Sequence, residues 1–196
     1  MAERGYAGTS ISAITRDCGL PASSIYWHFS NKQGLLAAVM ERAAERWLSQ
    51  FRADSKQRAL GDRTLGGMLA RAAPEIGAPP TEFLRLLILL ALERRDGDSE
   101  TLETIRRVRL RALELIREAI FETFRSAGEG DAGRIADTCS VFVLTFGEGL
   151  FVGQQIDPGI DMNGLTRQLE QAVLALGREQ LQSSSSQAGS ARETGA

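Results

Sequence analysis

The sequence predicts an all-α protein, and three observations carry that reading. Apolar residues recur at three- and four-residue spacings along nearly the whole chain. Runs of Val, Ile, Thr and Tyr alternating with polar residues, the mark of a half-buried strand, are absent. The punctuation is helical, with Gly-, Pro- and Asp-led breaks between long periodic segments. The expected architecture is an amino-terminal helix-turn-helix head on a larger helical bundle.

The elements follow in order. Two short helices, near 10–18 and 21–28, are separated by Gly19, which suits a left-handed turn. Ser30-Asn31-Lys32-Gln33 reads as an S-x-x-Q capping box opening a long helix from Asn31 to about Asp54. Its Leu35, Leu36, Val39, Met40, Trp47 and Phe51 form one slowly drifting stripe. Gly61-Asp62 opens a segment to about Ile76. Pro79-Pro80-Thr81 starts the next, which stops at Gly97 with Arg94 and Arg95 in its last turn. Asp98-Ser99 caps a helix to about Ser126, and Gly130-Asp131 another to about Gln155. Asp157-Pro158-Gly159 turns the chain, and Asp161 caps a last helix to about Leu181. From Ser183 onward no large apolar residue remains, so the tail is expected to be disordered. The expected division is 1–45 as the head, 46–181 as the helical body and 182–196 as the tail.

Composition removes much of the chemical menu. A chain of 196 residues with 43% hydrophobic and 24% charged residues fits one compact body with a small appendage. With 23 Lys and Arg against 25 Asp and Glu it is not a bulk polycation, although a localised nucleic-acid reader is still allowed. One histidine, His28, and two distant cysteines, Cys18 and Cys139, supply neither a zinc site nor a CxxC pair. No GxSxG, GxxxxGK[ST] or GxGxxG motif occurs. Neither an enzyme, a metal nor a cofactor is expected. No basic-then-apolar leader opens the chain, and the apolar run Leu86 to Leu92 is too short to span a bilayer, so a cytoplasmic protein without a membrane partner is expected. Both cysteines are expected in the core. The arginines at 106, 107, 109 and 111 read as a solvated helix face, with Glu103–Arg107 and Arg111–Glu114 at pairing distances.

The informative stretch is Thr9 to Phe29. On the second short helix, successive residues turn by about 100°. With Ile25 pointing inward, Phe29 and Ala22 lie on the same side, whereas Ser23, Trp27 and Ser24 point outward. Tyr26 and His28 flank them. A small-residue outward face lets the backbone approach base edges in a major groove, while Tyr26 and His28 can reach the phosphate walls. Lys32 lies in the first turn of the following helix, where a phosphate would sit.

GYAGTSISAI followed by GLPASSIYWHFSNKQGLL, Gly5 to Leu36, resembles the DNA-binding domain of the TetR family of transcriptional regulators. The Tyr-x-His-Phe element with a lysine closely following is the specific part. The resemblance implies phosphate contacts from Ser10, Tyr26, His28 and Lys32, and base or base-proximal contacts from Ser12, Ala22, Ser23, Ser24 and Trp27. It also implies that the remaining helices form a ligand-binding and dimerisation domain. The family pattern has a full first helix before Gly-Tyr-x-x-Thr, where this sequence has only Met1 to Arg4. That helix covers the apolar face of Ile11, Ile14, Phe29 and Leu36, each worth about 1.5–3 kcal/mol on burial. The expectation is a misassigned start site, or, if Met1 is genuine, a loose head with weak DNA affinity.

The segment from Arg134 to Gln155 carries only Glu148 as a charge after Asp137, with apolar residues all round. A helix apolar on every side is expected to be buried on both faces, one on its own core and one on a second subunit. The expected interface is Phe142, Phe146, Gly147, Leu150 and Gly153, joined by Leu165, Leu169, Val173 and Leu176 of the last helix. Candidate pocket residues are Trp47, Phe51, Met68, Phe83, Leu87, Ile105 and Thr145. The expected function is a homodimeric, ligand-responsive transcriptional repressor on a palindromic double-stranded DNA operator, released by a small apolar or amphipathic effector. The alternative is a helical dimer or ligand-binding protein that does not bind DNA.

Overall fold

In the computed structural model, residues 6, 8–51, 60–77, 82–92 and 99–193 are described. All regular structure among them is helical: α1 (Ile11–Cys18), α2 (Ala22–Phe29), α3 (Lys32–Ser49), α4 (Leu60–Arg63), α5 (Leu65–Gly77), α6 (Glu82–Leu92), α7 (Ser99–Phe124), α8 (Glu129–Ile156) and α9 (Met162–Glu193), with a 3₁₀ turn at Arg125–Ala127. The helices group into two compact units. One holds residues 1–50 and 78–111, the other 51–77 and 112–196.

In the first unit, local chemistry sets the helix ends. Ser10 is the N-cap of α1, its hydroxyl accepting from the Ala13 N–H at 3.0 Å. Gly19 ends the helix at φ 72°, a left-handed conformation open to glycine, and donates to the Thr15 carbonyl. The capping box expected at Ser30 is replaced by another arrangement. Ser30 is the exit residue of α2 at φ 59°, and Asn31 caps α3, its side-chain oxygen accepting from the Gly34 N–H at 2.8 Å. Asn and Ser are near-equal caps, so the spacing to Gln33 alone could not choose between them. The core of this unit joins Leu36, Met40 and Ala44 of α3 to Phe83, Leu86, Leu87 and Leu90 of α6 and to Ile105 and Val108 of α7. The helix α3 ends at Ser49, short of the expected Asp54; residues 52–54 lie outside the described residues, as do Pro79 to Thr81 and Arg94 to Asp98.

The second unit is built on Leu65 and Leu69 of α5, Ile116, Ile120 and Phe124 of α7, Ile135, Cys139 and Val143 of α8, and Leu169 and Val173 of α9. The segment expected to open at Gly61-Asp62 is split at Thr64 into α4 and α5. The Leu65 N–H, left without an intrahelical partner at the start of α5, donates to the Thr123 hydroxyl of α7 at 2.9 Å. A Cβ on Gly177 would sit 2.3 Å from the Phe124 ring, so α9 is bare where that ring lies on it. The turn at Gly128 starts α8 just ahead of the expected Gly130-Asp131, placing Glu129 and Asp131 in the first turn, where they suit the helix dipole. Asp161 accepts from the Gly164 N–H at 2.8 Å, as an N-cap of α9 does.

Two further expectations differ from the structure. The helix α9 runs on to Glu193, through the serine-rich stretch expected to be disordered. There Ser183, Ser184 and Ser186 donate to carbonyls four residues back, a bond that lets hydroxyls sit within a helix. Within this chain the helix α8 buries one face on the core just described and leaves Val141, Phe142, Val152 and Ile156 exposed. It is also long and apolar enough to cross a membrane by length and composition, which Leu86 to Leu92 is not, yet its inner face belongs to the core just described. Finally, Cys139 is buried whereas Cys18, in the last turn of an eight-residue helix that has no buried side chain, is exposed.

Candidate nucleic-acid interface

The second short helix turns the way its sequence spacing demands. Ile25 is 5% exposed, while Tyr26 and Trp27 are 51% and 81% exposed. Ser23 and His28 are exposed, Ser24 half-buried and Phe29 half-buried. Ala22, expected on the inner side, is exposed instead. It is the first residue of the helix, about one turn ahead of Ile25. The Trp27 and His28 rings meet edge-on, centroids 4.6 Å apart at 81°, and His28 also lies 6.0 Å from Phe29. The exposed Trp27 and His28 rings therefore sit together, and His28 links them to the half-buried Phe29.

The remaining predicted contacts surround this face unevenly. Ser10 is exposed and has spent an acceptor lone pair on its cap, which leaves its hydroxyl proton to donate. Ser12 is exposed one turn along, its carbonyl accepting from Thr15. Lys32 is half-buried; its ammonium donates to the Tyr6 carbonyl and stands 4.0 Å over the Tyr6 ring, a cation–π contact. Two N–H groups of that ammonium are left for an anion. Sequence reasoning missed Tyr6, which lies 26 positions away and leaves no local signal of the pairing.

A second contact escaped it as well. Arg107, expected to pair with Glu103 on its own helix, reaches Glu41 of α3, with Nε and Nη2 on the same oxygen at 3.2 and 2.9 Å. The nearly buried Thr104 hydroxyl holds Nη2 at 3.1 Å and aims the guanidinium across.

The pocket candidates fall into two groups. Trp47, Phe83, Leu87 and Ile105 pack in the core of the first unit, with the Trp47 and Phe83 rings 6.0 Å apart. Phe51, Met68 and Thr145 belong to the second unit, where Phe51 is buried, Met68 packs against the core and Thr145 is exposed. The interface candidates also divide. Leu150, Leu169 and Val173 are buried within the chain, whereas Phe142 and Leu176 are each 41% exposed and Phe146, Gly147, Gly153 and Leu165 are half-buried. Exposed residues of α8 recur at 138, 142, 145, 149, 152 and 156, one stripe of a helix.

Comparison with known proteins agrees with this geometry. The sequence model of bacterial regulatory proteins of the tetR family matches residues 1–39. The HTH-type transcriptional regulator UidR of Escherichia coli K12 is 33% identical over 52 residues, and the match spans 26% of this chain and 26% of UidR. The solved structure of the transcriptional regulator FadR from Bacillus subtilis, in complex with stearoyl-CoA, superposes with a TM-score of 0.63 at 20% identity, covering 88% of this chain and 90% of FadR. NalD of Pseudomonas aeruginosa, a secondary repressor of the MexAB-OprM efflux pump, superposes with a TM-score of 0.58 at 20% identity, covering 89% of each chain. Such identities show a shared all-α fold. The likeness in sequence to the tetR family of bacterial regulatory proteins is thus carried by the amino-terminal helix-turn-helix segment, residues 1–39, and the likeness of the remaining helices is one of fold.

Proposed function

We propose that this protein is a dimeric, cytoplasmic transcriptional repressor that reads a near-palindromic DNA operator and is released by a small apolar or amphipathic molecule. The observation that carries the reading is the outward face of α2. Ser23, Trp27 and His28 are exposed together on a helix whose inner residue, Ile25, is buried, within the segment that matches the family. In this reading residues 1–45 contact DNA and residues 46–181 bind the effector and the second subunit. Tyr26, His28, Ser10 and Lys32 take phosphates, and Ser12, Ala22, Ser23, Ser24 and Trp27 face the bases.

The exposed stripe of α8 supports the dimer. Phe142, Val152 and Ile156, with Leu176 of α9, put large apolar side chains in water, which a second copy would cover. Leu150, Leu169 and Val173 already have partners in their own core, so the interface narrows to Phe142, Phe146, Gly147, Gly153, Leu165 and Leu176. Two heads set one helical turn apart, about 34 Å, then require a two-fold operator. An acyl chain, the kind of ligand held by the FadR neighbour, fits the proposed effector class. A ligand binding the released state about 100-fold more tightly would bias it by about 2.7 kcal/mol.

Footprinting on DNA flanking the gene, with and without candidate effectors, tests the reading. A protected palindrome that is lost on adding effector supports it; no protected site sinks it.

A further inference from the structure

Trp27 is the most exposed of the large hydrophobic side chains among the described residues, at 81%. It does not sit on a loose end. It lies within the last turn of α2, and its indole meets the His28 ring edge to face, centroids 4.6 Å apart. One turn before it on the same face stand only Ser23 and Ser24, next to Ala22, all small, so no large side chain there screens the indole from a surface that the helix approaches. Seating α2 in a major groove therefore brings a large apolar face against base edges. Those edges are donors and acceptors with one exception, the 5-methyl group of thymine. An indole face pressed on polar edges leaves them without water and without partners; pressed on a methyl group it strips water from apolar surface on both sides.

We propose that Trp27 reads the 5-methyl group of a thymine, making one thymine at a fixed place in each half-site a determinant of operator choice. The inference rests on the DNA-binding reading above and goes beyond it, since it names the base and the atom. It also fits the charge of the head, where Arg4, Arg16 and Lys32 stand against Glu3 and Asp17, leaving discrimination to contacts other than ion pairing.

The test begins with selection of binding duplexes by the full-length protein from a random pool. Each thymine of the selected site is then replaced in turn by deoxyuridine, which keeps every hydrogen-bonding group and removes only the methyl. The expected result is one position per half-site where the replacement weakens binding about fourfold, the value of one buried methyl. In Trp27→Ala the same replacement should have no effect at that position, while its melting curve matches that of the unaltered protein because the side chain is exposed. Uniform tolerance of deoxyuridine overturns the inference, as does a thymine penalty that survives in Trp27→Ala. A fixed guanine whose 7-deaza form loses the contact assigns Trp27 to hydrogen bonding through its indole N–H, and overturns it too. A pool that enriches no sequence overturns the DNA-binding reading itself, and this inference with it.

Discussion

The first helix, α1, and the core helix α8 hold themselves in opposite ways. In α1 no side chain is buried, and its order comes from its ends, the Ser10 cap and the left-handed Gly19. The helix α8 has no side-chain cap at Gly128 and buries eight residues, Ile135 and Cys139 among them. The difference teaches how the molecule divides its labour. Caps fix where a helix starts and stops while leaving its surface free for a partner. Packing fixes a helix by consuming one of its faces.

Truncation should break the comparison first. Ile135, wholly buried, should lose about 2–5 kcal/mol on change to Ala, read from urea melts. The half-buried Ile14 of α1 should lose well under half as much in the same measurement. Equal losses would mean that α1 is held by packing after all. Caps come next: Ser10→Ala and Asn31→Ala should each cost about 1 kcal/mol, with hydrogen exchange rising in α1 and α3 and not in α8. Smaller still is the Glu41–Arg107 pair, whose side chains are 40% and 43% exposed. Arg107→Gln should cost at most about 1 kcal/mol, less in high salt, and a double-mutant cycle with Glu41→Gln separates the pair from the Thr104 contact. The smallest effect is one of pH. Burial pushes the Cys139 thiol above its ordinary range, so the folded protein keeps that proton where the unfolded chain has begun to lose it. The resulting stability is complete below the unfolded thiol pKa, about 8.5, and drains away as pH rises beyond it. Cys139→Ala should flatten that alkaline decline, and a thiol reagent at pH 8 should modify Cys18 long before Cys139.

Much of this was legible in the sequence, for identifiable reasons. Cap chemistry is local, so Gly19 and Asp161 could be placed by type and position. The turn of α2 follows from helix geometry once Ile25 is taken as the inner residue, which is why Trp27 could be pointed outward from sequence alone. What failed was decided at longer range. Arg107 has Glu103 four positions away on its own helix, but its partner is 66 positions away, aimed by a hydroxyl the spacing does not reveal. Cys18 looks like core by type, yet it is exposed in the last turn of α1, a helix that buries none of its own side chains. The apolar circumference of α8 could not say which face its own chain buries, since Val143 and Phe142 are equally apolar and adjacent. In the serine run of α9, propensity argued against a helix that hydroxyl-to-carbonyl bonds accommodate.

The length of α2 carries a consequence for information. Eight residues make a rod about 12 Å long, and base pairs stack about 3.4 Å apart, so one such helix spans about four of them. A proposed dimer then samples about eight base pairs through these helices, one sequence in roughly 65,000. Against about a million competing sites, some fifteen would match by chance. A head of this size cannot single out one address in a chromosome by reading alone; the spacing between its two copies and the placement of operators must supply the rest of the message.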